Sequence, residues 1–102
     1  MAEVAKMLVL STAHLSEATA QRFDNATDCL VETAMGQITV YQKGDVGWLV
    51  PIADDYIDCH TTRAYLPGDF TQVCDKAESL GCSWIMFDRD ADTLTGLKVY
   101  DW

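Results

Sequence analysis

The sequence lacks long hydrophobic runs and is poor in basic residues, and both shortages limit what the protein can be. No stretch approaches the ~20 apolar residues of a membrane-spanning helix, and the run Met7–Leu10 is too short for a signal-peptide core. Only seven Lys and Arg stand against 16 Asp and Glu, a net charge of -9. Because nucleic-acid affinity comes largely from Lys and Arg, we expect a cytoplasmic protein that binds neither membranes nor nucleic acid directly.

Closely spaced cysteines and the familiar catalytic motifs are also missing. None of the four cysteines forms a C-x-x-C pair, so a zinc site lacks its usual closely spaced ligands, and we expect Cys74 and Cys82 to be small buried hydrophobic residues. Gly-rich phosphate loops, the G-x-S-x-G elbow and H-E-x-x-H do not occur. The sequence therefore predicts no metal, no cofactor and no enzymatic activity.

What is present is the composition of one globular domain, with 102 residues of which 49% are hydrophobic and 23% charged. We expect residues 1–102 to form that domain. The apolar run Lys6–Ser11 does not alternate, which is typical of a strand buried on both faces in the middle of a sheet. Ser16 is a good N-cap for a helix that ends near Asn25. Residues 29–35 stay open, with a second short helix as one alternative.

The rest of the chain predicts a hairpin and then a helix between strands. Gln37–Lys43 and Val46–Pro51 have strand composition and are separated by a Gly44 turn. Asp69 is a predicted N-cap that forms a capping box with Gln72, and Gly81 is a predicted C-terminal cap.

Two further strands are predicted at Cys82–Phe87 and Leu97–Tyr100. The resulting order of elements, β-α-β-β-α-β with an extra terminal strand, is typical of a split βαβ fold. We therefore predict an α+β, ferredoxin-like two-layer sandwich in which one layer of helices covers one face of the sheet.

Two groups of acidic residues, one within 54–58 and one within 88–92, form the first candidate site. In one, Asp88, Asp90 and Asp92 have the spacing of the first calcium ligands of a helix-loop-helix site, but the Gly and Glu that complete such a loop are absent. Carboxylates can take the place of phosphates opposite Lys and Arg, so both groups are predicted to bind a basic protein surface. The candidate partner-binding residues are Asp54, Asp55, Asp58, Asp88, Asp90 and Asp92.

A second candidate site follows the first predicted strand. Ser11, Thr12 and His14 lie where the carboxyl end of a strand often holds functional side chains. They form the candidate ligand site of an alternative function, a small enzyme or ligand-binding module with His14 as acid or base. The alternative is a capping turn in which these side chains satisfy backbone groups. A third alternative is a homodimer, with Tyr100 and Trp102 anchoring the interface.

Four segments of the chain form a recognisable set: LVLSTAHLSEAT (8–19), GCSWIMFDRD (81–90), LKVYDW (97–102) and the Gly47-Trp48 strand. Together they resemble an uncharacterised family of small proteins from bacterial plasmids, integrative elements and phage-like islands. The resemblance implies a setting and no catalytic residue, since accessory genes of mobile elements often counter host defence. Together with the acidic surface, it leads to the hypothesis of a non-enzymatic inhibitor of a host nucleic-acid-handling defence, of the anti-CRISPR or antirestriction type.

Overall fold

The computed structural model describes residues 4–26, 30–33, 36–52 and 68–101, and for 30–33 and 36–37 it describes the backbone alone. The described residues form the helices α1 (Glu17–Asp24) and α2 (Gly68–Ser79) and the short 3-10 helix Thr12–His14. They also form the strands β1 (Met7–Leu10), β2 (Leu30–Thr33), β3 (Gly36–Thr39), β4 (Tyr41–Lys43), β5 (Gly47–Pro51) and β6 (Trp84–Asp88). Helices and strands mixed in this way confirm the predicted α+β class.

Four of the strands form one mixed sheet in the order β1-β6-β5-β4. β1 runs parallel to β6, with Leu10 opposite Phe87, and β5 runs antiparallel to β6, with Trp48 opposite the same Phe87. β4 pairs antiparallel with β5, while β2 and β3 form a separate antiparallel hairpin. Since β1 and β6 are parallel, both carboxyl ends reach the same end of the sheet, where the candidate residues after each strand can meet.

The ferredoxin-like strand order is not confirmed. A split βαβ sheet has its first strand in the interior, as the sequence also predicted here, but β1 lies at the edge of the described sheet. Its side chains alternate between the two faces, and Val9 on the outer face is 50% exposed while Leu10 is buried. The unbroken apolar run does not distinguish a central strand from an edge strand, because a folded protein also exposes much apolar surface.

Two other segments differ from the expected elements. Within residues 29–35, where a short helix was one alternative, the described backbone is the strand β2. The predicted final strand Leu97–Tyr100 is wrong, because these residues belong to no strand. The backbone N–H of Tyr100 instead donates to the carbonyl of Ala13 at 2.7 Å, so the C-terminal segment is attached to the 3-10 helix.

The predicted hairpin is confirmed in β4 and β5. Gly44 has φ = +53° in the connecting turn, a conformation that glycine adopts without steric cost, and Pro51 ends β5 as predicted. The predicted strand Gln37–Lys43 is divided at Val40, so that its first part is β3 in the smaller hairpin and its second part is β4. Val40 itself is fully buried.

The carboxylate of Asp69 connects the N-terminal ends of the two helices. Ser16 caps α1 as predicted, because its side chain accepts from the backbone N–H of Thr19 at 3.3 Å. Asn25 is the C-terminal cap that follows the last helical residue. The predicted N-cap at Asp69 is wrong, because α2 begins at Gly68 and the Asp69 carboxylate bonds to the start of α1 instead. This carboxylate accepts from the Ser16 N–H at 2.7 Å and from the Thr19 hydroxyl at 3.0 Å, where a negative charge also favours the dipole of α1.

The C-terminal end of α2 is capped as predicted. Gly81 has φ = +76°, its N–H donates to the carbonyl of Glu78, and the N–H of Cys82 donates to the carbonyl of Ala77, both at 2.9 Å. This pair of bonds is the Schellman arrangement, which satisfies carbonyls that the helix leaves open. The turn leads the chain directly into β6.

The core lies between the helices and one face of the sheet. Its centre is a group of four buried aromatic side chains, in which Phe23 of α1 packs edge-to-face on Trp48 at 5.6 Å and on Phe70 of α2 at 5.3 Å. Phe87 of β6 lies 6.2 Å from both Phe23 and Phe70. These contacts fix the position of Trp48, which also reaches the carboxyl end of the sheet.

Candidate functional site

His14 joins the 3-10 helix to the C-terminal segment. The ring is buried, with Nδ1 2.8 Å from the carbonyl oxygen of Lys98 and Nε2 2.7 Å from the backbone nitrogen of Leu94. Because an amide N–H can only donate and a carbonyl can only accept, Nε2 accepts and Nδ1 carries the proton. Both nitrogens of a neutral imidazole are thus bonded to the backbone.

The three residues of the second candidate site separate in the structure. Ser11 Oγ accepts from the backbone N–H of Ala13 at 3.1 Å, and the backbone N–H of Ser11 donates to the carbonyl of Asp92 at 3.1 Å. With the contacts of His14, this is the geometry of a capping turn. Thr12 instead lines a pocket whose described lining includes neither Ser11 nor His14. A ligand site that combines all three stays a prediction.

The last residue of β6 and the turn after it include three of the six acidic residues predicted to bind a partner. Asp88 is 19% exposed, with Oδ2 2.9 Å from Lys43 Nζ and Oδ1 accepting from the backbone N–H of Asp90 at 2.9 Å. Asp90 and Asp92 are exposed. Asp88 therefore positions the turn, while the other two carboxylates face solvent. The remaining candidates, Asp54, Asp55 and Asp58, lie outside the described residues.

The ion pair of Asp88 predicts a pH effect on stability. The hydrogen bond from Lys43 and then that from the Asp90 N–H hold the pKa of Asp88 below its ordinary value of 3.8. The folded-state pKa lies below the unfolded one, so this contribution is present above pH 3.8 and is lost as pH falls through the folded pKa. We expect Asp88→Asn to lower the urea midpoint at neutral pH and to differ progressively less from wild type below pH 3.8. A difference that stays constant with pH would contradict this role.

A pocket of about 380 Å³ opens at the same end of the sheet. The backbone N–H of Arg89 donates to the carbonyl of Val46 at 2.9 Å, which ties the turn after β6 to the turn between β4 and β5. Gln42 Nε2 donates to the carbonyl of Phe23 at 3.3 Å and so connects β4 to α1. The described lining consists of Thr12, Asp24, Gln42, Gly44, Asp45, Val46, Gly47, Trp48 and Arg89.

Trp48 carries a buried side-chain donor that has no hydrogen-bond partner. Its side chain is 5% exposed, and within the described chain its indole Nε1 is the buried side-chain nitrogen or oxygen that has no hydrogen-bond partner. A buried indole N–H normally has an acceptor, and it can act only as a donor. Because this nitrogen is itself buried, the missing acceptor is a feature of the core around Trp48.

Four exposed carboxylates lie at this end of the sheet, and we call them the acidic end: Asp24, Asp45, Asp90 and Asp92. Asp24 and Asp45 line the pocket. The other two lie on the turn that Arg89 ties to the β4–β5 turn. Lys43 is paired with Asp88, so the four carboxylates outnumber Arg89 and the formal charge here is negative.

Sequence reasoning missed the pocket residues Asp24, Asp45, Trp48 and Arg89. The Gly44 turn was predicted, and it could have drawn attention to Asp45 beside it, since exposed turn residues often carry function. Arg89 lies inside the predicted acidic turn, between Asp88 and Asp90. No sequence signal shows that the N–H of Trp48 lacks an acceptor, because this depends on tertiary packing.

Other candidates have simpler environments. Cys74 and Cys82 are buried, as predicted. Tyr100, one of the two predicted dimer anchors, is half-buried with Lys98 Nζ 4.7 Å from its ring centre, and Trp102 lies outside the described residues. Across the described ranges, no group of three or more His, Cys, Asp or Glu residues could hold a metal ion. In the same part of the chain, no helix has the length and apolar character needed to cross a bilayer.

Comparison with known proteins finds one family whose model covers nearly the whole chain. A family model described as "Family of unknown function (DUF5983) C-terminal domain" matches residues 7–102. The matched span contains both helices, the strands β1 to β6 and every described residue of the pocket lining. No curated protein and no solved structure matches the chain.

Proposed function

Since the chain belongs to the DUF5983 C-terminal domain family, whose function is unknown, we propose a function from the site itself: a non-enzymatic interaction domain that binds a basic protein surface. The observation that carries the proposal is the acidic end, where four exposed carboxylates lie on elements that meet at one end of the sheet. Complementary charge speeds association with a basic partner and excludes acidic ones.

Backbone hydrogen bonds and one ion pair hold the segments that carry Asp45, Asp90 and Asp92. The Arg89–Val46 bond joins two turns, the Asp88–Lys43 pair anchors β6 to β4, and the backbone of Ser11 holds the carbonyl of Asp92. A surface that is ordered before binding loses less conformational entropy when it binds. These contacts therefore support a role for the turn as a preformed binding element.

We extend the proposal to the class of partner, a protein that handles nucleic acid. Carboxylates in fixed positions can occupy Lys and Arg side chains that otherwise hold phosphates, and a net charge of -9 attracts the domain to such a surface. The resemblance to proteins of mobile elements favours an inhibitor of a cytoplasmic host defence, of the anti-CRISPR or antirestriction type. Asp54, Asp55 and Asp58 remain candidates for the same kind of contact.

Reversing the charge of Asp90 and Asp92 tests the proposal. We expect the Asp90→Lys/Asp92→Lys variant to capture its partner from host lysate with affinity reduced at least ~10-fold, equivalent to ~1.4 kcal/mol, because attraction becomes repulsion. Folding should be unchanged, since both side chains are exposed. The measurement is quantitative mass spectrometry of captured proteins at low and high salt, where high salt should weaken wild-type capture.

The matched control is Asp75→Lys/Glu78→Lys, which changes the net charge by the same amount. Both residues are exposed on α2, whose C-terminal end lies near the start of β1, where Lys6 Nζ donates to the carbonyl of Leu80. This is the opposite end of the sheet from the acidic end. Equal losses in the two variants would mean that net charge alone attracts the partner, and would contradict a binding site at the acidic end.

A further inference from the structure

The strand β1 has an open side at the edge of the four-stranded sheet. In the described part of the chain β6 is its one neighbour, and its residues Met7–Leu10 include no charge and no proline. Natural edge strands are often protected from pairing by charged residues or proline. We propose that β1 pairs with β1 of a second copy of this chain, antiparallel and about a two-fold axis, so that the two sheets join into one.

The hydrogen bonds of β1 show which main-chain groups face the open side. The N–H of Trp84 donates to the carbonyl of Lys6 at 3.3 Å, so Lys6 faces β6. Main-chain groups of successive strand residues point to alternate sides, so those of Leu8 face β6 and those of Met7 and Val9 face away from it. The N–H and carbonyl groups of Met7 and Val9 therefore point away from every other strand of the described sheet.

Ser11 continues this alternation and limits the length of the open side. Its N–H also points away from β6 and donates to the carbonyl of Asp92 at 3.1 Å. The turn after β6 thus occupies the carboxyl end of the open side and leaves Met7–Val9 for a second strand. Two-fold pairing that places Met7 of each copy opposite Val9 of the other lets each such pair exchange both of its N–H···O bonds, with Leu8 opposite Leu8 at the axis.

The side chains that meet in this register are apolar. On the outer face of the sheet Met7 is 38% exposed and Val9 is 50% exposed, so each copy covers the exposed pair of the other. Leu8 points to the other face, where it packs against the core. Apolar pairs across antiparallel strands stabilise a sheet, whereas like charges directly opposite each other destabilise it. The strand is therefore complementary to its own copy.

The charges beyond the strand favour a second copy over an unrelated extended peptide. Lys6 is exposed at the amino end of β1, and its ammonium, which donates to the carbonyl of Leu80, has further protons for a carboxylate. Asp90 and Asp92 are exposed near the carboxyl end. Antiparallel pairing brings Lys6 of each copy beside the acidic turn of the other. These symmetric attractions oppose the repulsion between two chains of net charge -9.

Equilibrium sedimentation of the purified domain tests the inference. The paired region is short, so we expect an interface below ~1,200 Å² and a Kd of about 100 µM. Val9→Lys should weaken dimerisation at least ~10-fold, because it places a charge in the apolar register. The matched control is Val99→Lys, since Val99 is 53% exposed and belongs to no strand, and its Kd should stay within ~2-fold of wild type. A monomer at ~1 mM chain, or equal Kd values in the two variants, would overturn the proposal.

Hydrogen exchange of the wild-type protein gives a second readout that needs no variant. The amide protons of Met7 and Val9 should exchange at least ~3-fold more slowly at about 1 mM chain than at about 10 µM, because the dimer forms between these concentrations. The Leu8 amide, which bonds within the β1–β6 ladder, should be protected equally at both. Exchange of Met7 and Val9 that does not depend on concentration would contradict pairing at this edge.

Cysteine cross-linking tests the register. Leu8→Cys places two thiols at the two-fold axis, where opposite Cα atoms are ~4.5 Å apart and a disulfide can form. Val9→Cys places the two Cα atoms about 8 Å apart, too far for a disulfide. We expect oxidation to yield more covalent dimer from Leu8→Cys than from wild type or Val9→Cys. The reverse order of the two variants would overturn this register.

The inference goes beyond the proposed function, and each can fail alone. If the wild-type domain stays monomeric while Asp90→Lys/Asp92→Lys loses its lysate partner, the inference fails and the proposed function stands. If the wild-type domain dimerises through β1 but that double variant captures its partner as well as the α2 control, the dimer stands and the proposed function fails.

Discussion

Replacing Gly47 by alanine is expected to destabilise the domain by about 4 kcal/mol, the largest effect of any substitution considered. An alanine Cβ at this position would lie 1.6 Å from the carbonyl oxygen and 2.7 Å from the carbonyl carbon of Phe87, and 3.2 Å from Asp88 Cα. These are backbone atoms of the neighbouring strand, so no side-chain rotation relieves the clash. β5 and β6, the two inner strands, would have to separate where Gly47 pairs with Asp88.

Urea unfolding monitored by tryptophan fluorescence measures this loss, with Gly68→Ala as the matched control. The Cβ added at Gly68 meets nothing within 4 Å, and the residue begins α2, where alanine has the higher helix propensity. The control should therefore equal or slightly exceed wild type in its unfolding midpoint. A Gly47→Ala midpoint close to that of the control would show that the two strands do not approach as closely as described.

Replacing His14 by alanine is expected to lower the melting temperature by about 15 °C. The change removes the imidazole, so the Leu94 N–H and the Lys98 carbonyl both lose their hydrogen-bond partner. It also opens a cavity under the C-terminal segment. Loss of buried hydrogen bonds and packing of this kind costs about 3 kcal/mol, and each kcal/mol shifts the midpoint of a domain of this size by ~4–8 °C.

Two measurements check the role of His14. Thr12→Ala changes a residue of the same 3-10 helix that lines the pocket. It should leave the melting temperature within about 2 °C of the wild-type value. Long-range ¹⁵N spectra of the imidazole should show the proton on Nδ1 and an accepting Nε2. Full thermal stability in His14→Ala would contradict the structural role and favour the ligand site predicted from the sequence.

Local signals in the sequence predicted the helices well because the groups that cap them are adjacent in the chain. Ser16 and Gly81 act through backbone groups a few residues away, so residue type and spacing suffice. Asp69 is an exception to this local prediction. Its type and position fit a local cap, but its carboxylate accepts from Ser16, 53 residues earlier in the chain. Sequence spacing carries no information about such a partner.

The position of β1 depends on tertiary contacts that hydrophobic pattern does not contain. An apolar run predicts a strand, and β1 is one, but the same run suits a central strand and an edge strand with an exposed Val9. The terminal segment gave a similar ambiguity, because Leu97–Tyr100 has strand-like alternation but is held by His14 and Ala13.

The candidate site was predicted in part. The spacing of Asp88, Asp90 and Asp92 indicated a turn, and two of these carboxylates are exposed as a binding surface requires. The ion pair that makes Asp88 a positioning residue joins it to Lys43, 45 residues away. The pocket brings together four segments of the chain, and only the packed fold brings them into contact.

Competition with DNA tests most directly the central claim that the acidic end occupies a surface which otherwise holds nucleic acid. The immobilised domain is loaded with its lysate partner, and double-stranded DNA is added at constant ionic strength. Release of the partner in proportion to added DNA, together with the loss of capture in Asp90→Lys/Asp92→Lys, is the predicted result. Retention of the partner at saturating DNA, with both bound together, would contradict the claim.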